Sequence, residues 1–594
     1  MVNEEPAPLN SVGQPVSSMA AARSVVQVLL AAGVRFIVIS PGSRNAPLSY
    51  AIAEAEHRMP DRLRALVRID ERSAGFTAVG LALETGAPVA LVTTSGTAVG
   101  NLMPAVMEAD HAGVPLLVLS ADRPAELRGT GANQTTDQLD LFGSHVRFAA
   151  DIDAGTDPGA AVQTAVDAAI GLLEGVVSGP VQINLSFRDP LTPATEPLAE
   201  PVAKQPVQTS APAPVPEALP QPARRSPADP VSPVAMQTTA ARRTVVLAGH
   251  DAGPEAEAFA RELGLPLLAE PSSRARFGPQ AIGPYRLLLE HFAPEIERLV
   301  IFGRPALSRP VSALVENQNL PRARYLPRPV PWLEPERRSE QFIASLPELA
   351  DFAGHGAPGW SAAWQDAARS AEQALDGLLR EEADSGSLSG LLLAREVWHR
   401  TAGRLLLGSS NPIRDTDLAG TPGERAPLVF ANRGLSGIDG TVSTATGIAI
   451  AGQAPVRVLL GDLTLLHDAG GMLLPRGEQP ADLQLVVLND AGGGIFSLLE
   501  HGALGEQPEY RAAVEKFFGT SHSVDFAALA AAYGWEHRML RSRAELVSAL
   551  DAQIRGRSVL ELRVDRAGLR PLHERVRAAV LSNRQGWGVP GAEA

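Results

Sequence analysis

The chain has 594 residues, a formal net charge of −14 and no cysteine. At roughly 150 residues per domain this length suggests three or four domains, and 45% apolar against 20% charged residues is enough to build large cores. The missing cysteines exclude disulfides, thiolate metal centres and a cysteine nucleophile, and the acidic balance disfavours nucleic acid or an anionic membrane as a partner.

Lysine occurs only at 204 and 516, so almost all positive charge is arginine. Lys204 lies in a proline-rich stretch and Lys516 in a polar, helix-like one, and neither suits a Schiff base in a buried pocket. The absence of GxxxxGK[ST] removes the P-loop enzymes. The N-terminal MVNEEPAPLN is acidic and polar, without the features of a signal peptide, and no run of about 18 apolar residues follows. A soluble, cytoplasmic chain with no integral membrane segment is expected.

Residues 10–190 alternate short apolar runs with longer helical patterns. The runs RFIVIS (35–40), RALVRID (64–70), PVALVTTSG (88–96), PLLVLSAD (115–122) and GPVQINLS (179–186) read as buried parallel strands. The segments between them are long enough for crossover helices, which predicts an α/β domain with a sheet covered on both faces. Residues 191–240 hold 12 prolines and no aromatic residue. Such a stretch cannot bury enough apolar surface to offset its ordering entropy, and reads as an extended linker.

The central block, 241–350, repeats the theme in TVVLAGH (244–250), LPLLAE (265–270) and RLVIFG (298–303). Residues 351–385 mix Gly, Ala and charge and read as a connector. The third block, 386–594, supplies RLLLGSS (404–410), LVFANR (428–433), VRVLLGDLT (456–464), LQLVVLND (483–490) and SVLELRVD (558–565). Its pattern resembles that of the first block. Ligands gather at the carboxyl ends of such strands, so the polar residues after each run are the ones to examine.

Two strand ends stand out. VRVLL runs into Gly461–Asp462, and LQLVVL runs into Asn489–Asp490 followed by Ala491 and the glycines 492–494. On adjacent parallel strands these ends lie side by side. Carboxylate, amide and a glycine carbonyl are hard oxygen ligands suited to Mg²⁺, and the glycines let the backbone approach a diphosphate. Taken singly, each ending is ordinary turn chemistry; the pair at this spacing is less common.

The arrangement resembles the metal motif of thiamine diphosphate-dependent enzymes, which opens with GD and ends in Asn. The resemblance implies that thiamine diphosphate and Mg²⁺ (or Mn²⁺) bind here, with Asp462, Asp490 and the Gly492 carbonyl as metal ligands and Gly461 and Asn489 beside the cofactor. If Asn489 is the ligand instead, Ala491 supplies the carbonyl. The family also implies a glutamate in the other α/β domain, and Glu71, in RIDERSAGFTAVGLA (68–82), fits. Its carboxyl would hydrogen-bond the aminopyrimidine and promote loss of the thiazolium C2 proton. By position alone Glu71 could equally complement a helix dipole. Ile438, in NRGLSGIDG (432–440), resembles the apolar residue that holds the cofactor bent, and Ile495 lies beside it.

SPGSRNAPL (40–48), TTSGTAVGN (93–101), SADRPAELRGTGANQ (120–134), NRGLSGIDG and GGGIFSLL (492–499) narrow the resemblance to the family of 2-succinyl-5-enolpyruvyl-6-hydroxy-3-cyclohexene-1-carboxylate synthases (the MenD family). It covers the two outer blocks. The implied fold is three α/β domains, each a mostly parallel sheet covered by helices. The implied reaction is decarboxylation of 2-oxoglutarate and 1,4-addition of the remaining succinyl unit to isochorismate, in menaquinone biosynthesis.

Both substrates are dicarboxylates, and arginine binds carboxylates bidentately. The motifs supply Arg44, Arg123 and Arg433, GSSNPIRD (408–415) supplies Arg414, and EPSSRARFG (270–278) in the central block supplies Arg274. Ser43, Gln134 and Ser410 lie beside them as hydrogen-bonding partners, and Phe496 as a pocket wall. The family shares its cofactor between subunits, which implies a homodimer or homotetramer.

Other classes fit less well. GLSG (434–437) is not GxSxG, HExxH is absent, and GTGANQ (129–134) lacks the third glycine of a dinucleotide fingerprint. Another thiamine diphosphate carboligase or 2-oxo acid decarboxylase, acetolactate-synthase-like, is the nearest rival, disfavoured because neutral acceptors need fewer cations.

Overall fold

The structure is a computed structural model that describes residues 15–193, 240–582 and 584–588. The proline-rich stretch read as a linker lies outside the described residues except at its ends. The described residues fall into two compact units: the first ends at 193 and leaves out 83–86, and the second takes those four residues and everything from 240 onward.

In the first unit all five apolar runs form strands. With Ala149–Ile152 they make one parallel sheet, ordered 64–67, 36–39, 89–93, 116–122, 181–186 and 149–152. The strands at 36–39, 89–93, 116–122 and 181–186 are buried along their whole length, because helices cover both faces. One face packs Ile37, Val92, Leu117 and Ile183 against Val25 and Leu29 of helix Ser18–Ala31 and Leu48 and Ile52 of helix Ala46–Arg58.

The second unit holds two larger sheets. The central one is parallel, in the order 341–343, 322–325, 298–302, 244–248 and 267–269. The other runs 428–430, 404–407, 456–461, 483–489, 557–563 and 536–540, again all parallel. Numbered by their own appearance in the chain, the strands of this sheet and of the first unit's sheet share the order 2-1-3-4-6-5. In that winding the connections diverge between strands 1 and 3, where α/β sheets open a crevice at their carboxyl edge.

The stretch read as a connector is different in the structure. It holds Trp360–Asp384, a helix of 25 residues that buries Trp360, Trp364, Ala367, Ala371, Leu375 and Leu379. Those positions recur every three or four residues, the signature of one apolar face, which a reading by composition overlooks. Trp364 stacks on Phe292 at 4.3 Å between ring centroids, so the helix is part of the central core. Among the described residues no helix is long and apolar enough to cross a membrane.

Candidate functional site

In the first unit the divergence point lies between strands Phe36–Ile39 and Val89–Thr93. A Cβ on Gly42 would sit 2.4 Å from the Thr94 Cβ, so glycine is what lets the SPGSR loop press against the TTSG loop. Arg44 Nη1 donates to the Phe187 carbonyl at 2.9 Å. Arg123, just past strand Leu116–Asp122, donates through Nη1 to Ser95 Oγ and to the Gln134 carbonyl, the latter at 3.1 Å. Burial, and then the neighbouring Arg44, lower the affinity of Arg123 for its proton. Two guanidinium groups thus lie near enough at this edge to feel each other's charge, the mark of a place that wants an anion.

Ser43 and Gln134 have exposed side chains. Their recorded contacts are through the backbone: the Ser43 carbonyl accepts from Ala46 N–H, and Gln134 adopts a positive φ of 54°. Glu71 opens helix Glu71–Thr85 and is half-buried. Its Oε2 accepts from Asn101 Nδ2 at 3.3 Å, whereas the helix start is tied by Asp70, whose Oδ1 accepts from Arg72 N–H at 2.9 Å. Helix capping therefore falls to Asp70.

In the second unit the register pairs Gly461 with Leu488, which brings Asp462 and Asp490 to the same edge. Asp462 is 2% exposed. Its Oδ1 accepts from Leu463 N–H at 2.7 Å, and its Oδ2 from Gly492 N–H at 2.9 Å and His522 Nε2 at 3.0 Å. Burial raises its pKa. Burial and the charge of Asp462 push Asp490 up to about 7, and Asp490 Oδ1 is buried with no hydrogen-bond partner.

Asn489 differs. Its Nδ2 donates to Glu561 Oε1 at 2.6 Å and its Oδ1 accepts from Ala491 N–H at 3.0 Å. A Cβ on Gly494 would fall 1.9 Å from Asp490 Oδ2. Two mutually repelling buried carboxylates, one with an orphaned oxygen, among hard oxygen donors fit a small divalent cation.

The same edge carries the N-terminus of helix Asn411–Ala419, after strand Arg404–Leu407. Ser409 Oγ and Asn411 Oδ1 are buried there without partners, and Ser410 takes a φ of 82°. Arg414 Nη1 donates to the Ser410 carbonyl at 2.9 Å; burial, then Arg433 and Arg286, lower its proton affinity. Arg433 is 5% exposed. The Arg274 guanidinium lies 5.5 Å from the ring centroid of Phe430, which ends the strand leading to Arg433. Arg276, 1% exposed, fastens the far end of the Arg414 helix by donating to the Asp417 and Gly420 carbonyls, each at 2.8 Å.

Ile438, in a loop, and Ile495 and Phe496, in the short helix Gly494–Leu498, are half-buried at this edge, and the Phe496 ring packs 5.3 Å from Phe518. Sequence reasoning missed Ser409 and Asn411, which stood inside a motif already singled out. It also missed His522, 60 residues beyond Asp462, for which the sequence holds no local signal.

Glu270 was missed as well. It is 1% exposed, its Oε1 accepts from Ala306 and Leu307 N–H at 2.9 Å each, and burial, then the charge of Asp417, raise its pKa to about 7. Between pH 4.5 and about 7 the folded chain therefore holds a proton that the unfolded chain has released, and stability falls as pH rises through that window. Glu270→Gln keeps the two acceptor contacts and removes the titration. Its denaturation midpoint is expected to depend less on pH between 5 and 8, with a gain on the order of 3 kcal/mol at pH 8. Parallel pH profiles for variant and wild type would refute this.

One further group, Asp110, His111 and His145, has metal-like spacing among the described residues. Arg147 Nη1 already lies 2.6 Å from Asp110 Oδ1 and His145 Nδ1 lies 2.8 Å from Oδ2, so it reads as an ion-pair network tying a loop to a helix.

Residues 19–141 match the thiamine pyrophosphate enzyme N-terminal TPP binding domain, and residues 422–562 the C-terminal TPP binding domain of the same enzymes. A relative from Renibacterium salmoninarum, named 2-succinyl-5-enolpyruvyl-6-hydroxy-3-cyclohexene-1-carboxylate synthase, is 60% identical over 565 residues, covering 95% of this chain and 98% of its own. One of the same name from Arthrobacter sp. is 58% identical over 581 residues, covering 97% and 94%. Among solved structures, benzoylformate decarboxylase from Polynucleobacter necessarius superposes with a TM-score of 0.62 at 15% identity, over 92% of this chain and 98% of that one, which shows a shared fold.

Proposed function

The chain belongs to the 2-succinyl-5-enolpyruvyl-6-hydroxy-3-cyclohexene-1-carboxylate synthase family and is a thiamine diphosphate-dependent transferase; from that premise we propose that it joins 2-oxoglutarate to isochorismate with release of CO₂, in the cytoplasm, as a step of menaquinone biosynthesis. The observation that carries the reading is the gathering, at one carboxyl sheet edge, of the Asp462–Asp490 corner with the half-buried Arg414 and the buried Arg433. The bound coenzyme supplies the carbanion chemistry by which 2-oxoglutarate loses CO₂ and its remaining four carbons pass to the ring alkene of isochorismate.

The residues divide the rest of the work. Asp462, Asp490 and the Gly492 carbonyl hold Mg²⁺ or Mn²⁺, with Gly461 and Asn489 shaping the corner and Ser409 and Asn411 offering polar groups to the diphosphate. Asn489 Oδ1 already accepts from Ala491 N–H while Asp490 Oδ1 has no hydrogen-bond partner, which supports Asp490 as the side-chain ligand. Glu71 meets the aminopyrimidine, Ile438 props the coenzyme, and Ile495 and Phe496 exclude water. Arg44, Arg123, Arg274, Arg414 and Arg433, with Ser43, Gln134 and Ser410, receive the substrate carboxylates. So many cations in an acidic chain do not favour a carboligase with a neutral acceptor.

The reading includes a homodimer or dimer of dimers in which Glu71 of one copy serves the metal corner of another. Ile69, two residues before Glu71 and 67% exposed, supports a covered surface there.

The test is turnover of 2-oxoglutarate with isochorismate, following isochorismate absorbance and CO₂ together. Loss of isochorismate without CO₂, or neither, would overturn the reading. Within it, Arg433→Ala is expected to raise the barrier by roughly 2–5 kcal/mol, because it leaves a desolvated carboxylate unpaired. A fall in kcat/KM worth less than about 1 kcal/mol would mark Arg433 as a charge that touches neither substrate.

A further inference from the structure

We infer that His522 is a positioning residue that holds the Asp462 carboxylate with Oδ1 turned to the cation; this rests on the metal corner proposed above. A carboxylate has about four lone-pair sites. Oδ2 of Asp462 receives two donors, Gly492 N–H and His522 Nε2, while Oδ1 receives only Leu463 N–H. The remaining acceptor site is therefore on Oδ1. A carboxylate fixed in this way offers a cation one oxygen, which suits the octahedral demand of Mg²⁺ better than a swinging, bidentate group.

The imidazole is set for this task. Val524 N–H donates to His522 Nδ1 at 3.3 Å, which leaves the ring proton on Nε2, facing Asp462. The ring is 13% exposed and packs edge-on against Phe526 at 5.9 Å. Its backbone is fastened too. His522 N–H donates to the Ala491 carbonyl at 3.4 Å, and Gly493 N–H donates to the Gly519 carbonyl at 2.8 Å. A Cβ on Gly492 would lie 2.2 Å from that Gly519 carbonyl. The glycines that follow Asp490 thus admit segment 515–522, and that segment delivers His522 to the corner.

Groups that orient metal ligands through hydrogen bonds typically change metal affinity 10–100-fold when removed. The experiment is calorimetric titration of the full-length protein with Mg²⁺ at saturating thiamine diphosphate, a readout independent of turnover. His522→Ala is expected to weaken Mg²⁺ binding roughly 10–100-fold. His522→Phe should weaken it equally while keeping the ring contact with Phe526 and the thermal midpoint of the cation-free protein. His522→Gln, whose amide N–H can donate, should recover most of the loss.

Wild-type affinity in His522→Phe, or no recovery in His522→Gln, would overturn the inference and leave the function standing. A wild-type protein that binds neither Mg²⁺ nor thiamine diphosphate would overturn the proposed function, and the role of His522 with it.

Discussion

Asp490→Ala is expected to weaken Mg²⁺ binding by roughly 10²–10⁴-fold, the equivalent of about 3–5 kcal/mol, because it leaves Asp462 to meet the cation without its partner. In the absence of cation the same change should do no harm. Asp490 and Asp462 repel one another in a buried corner, and Asp490 Oδ1 has no hydrogen-bond partner to lose. The variant should therefore melt at least as high as wild type without Mg²⁺, and lose the increase that Mg²⁺ and thiamine diphosphate give wild type by binding the folded state. This opposite sign separates a metal ligand from a packing residue, since deleting a packing group lowers stability under both conditions. Unchanged Mg²⁺ affinity would remove Asp490 from the corner and return the choice to Asn489. That alternative would require Asn489 Oδ1, which accepts from Ala491 N–H at 3.0 Å, to turn to the cation.

How much of this was legible depends on how local the physics is. Strands such as 116–122 and 483–489 are buried on both faces, so they are written as unbroken apolar runs, and their ends announce the carboxyl edge. Asp462 and Asp490 were visible for that reason. The strand at 322–325 and the edge strands at 341–343 and 536–540 were not, because Arg322–Tyr325 carries two arginines in four residues and the others are short and half-polar. Helix Trp360–Asp384 was legible in its spacing but was read by its composition.

The side-chain partners were the least legible. The motif containing Gln134 was found, yet the contact to Arg123 runs through the Gln134 backbone carbonyl, which any residue able to adopt that loop could supply. The reach of His522 to Asp462 exists only because segment 515–522 folds back over the glycines. Glu270 owes its shifted proton affinity first to a burial that no local pattern encodes, and then to Asp417, 147 positions away. The shared strand order 2-1-3-4-6-5 lies between these extremes. Two similar patterns of runs suggested two similar domains, but which strands neighbour one another follows from the winding.

Glu71→Gln is expected to lower turnover by roughly 10²–10⁴-fold while thiamine diphosphate and Mg²⁺ still bind, because an amide keeps the shape of the carboxyl but cannot exchange a proton with the aminopyrimidine. The fold should be indifferent to the change. Asp70 ties the start of the helix through Arg72 N–H, and the glutamine carbonyl can still accept from Asn101 Nδ2. Two measurements isolate the role. Hydrogen–deuterium exchange at C2 of bound thiamine diphosphate, followed by proton NMR, should slow in step with turnover, while calorimetry should give a cofactor affinity within a few-fold of wild type. Lost affinity together with a lowered melting temperature would mean that the residue supports the helix. Exchange at the wild-type rate would mean that another acid serves the aminopyrimidine, and that the proton path assigned to Glu71 is wrong even if the metal corner stands.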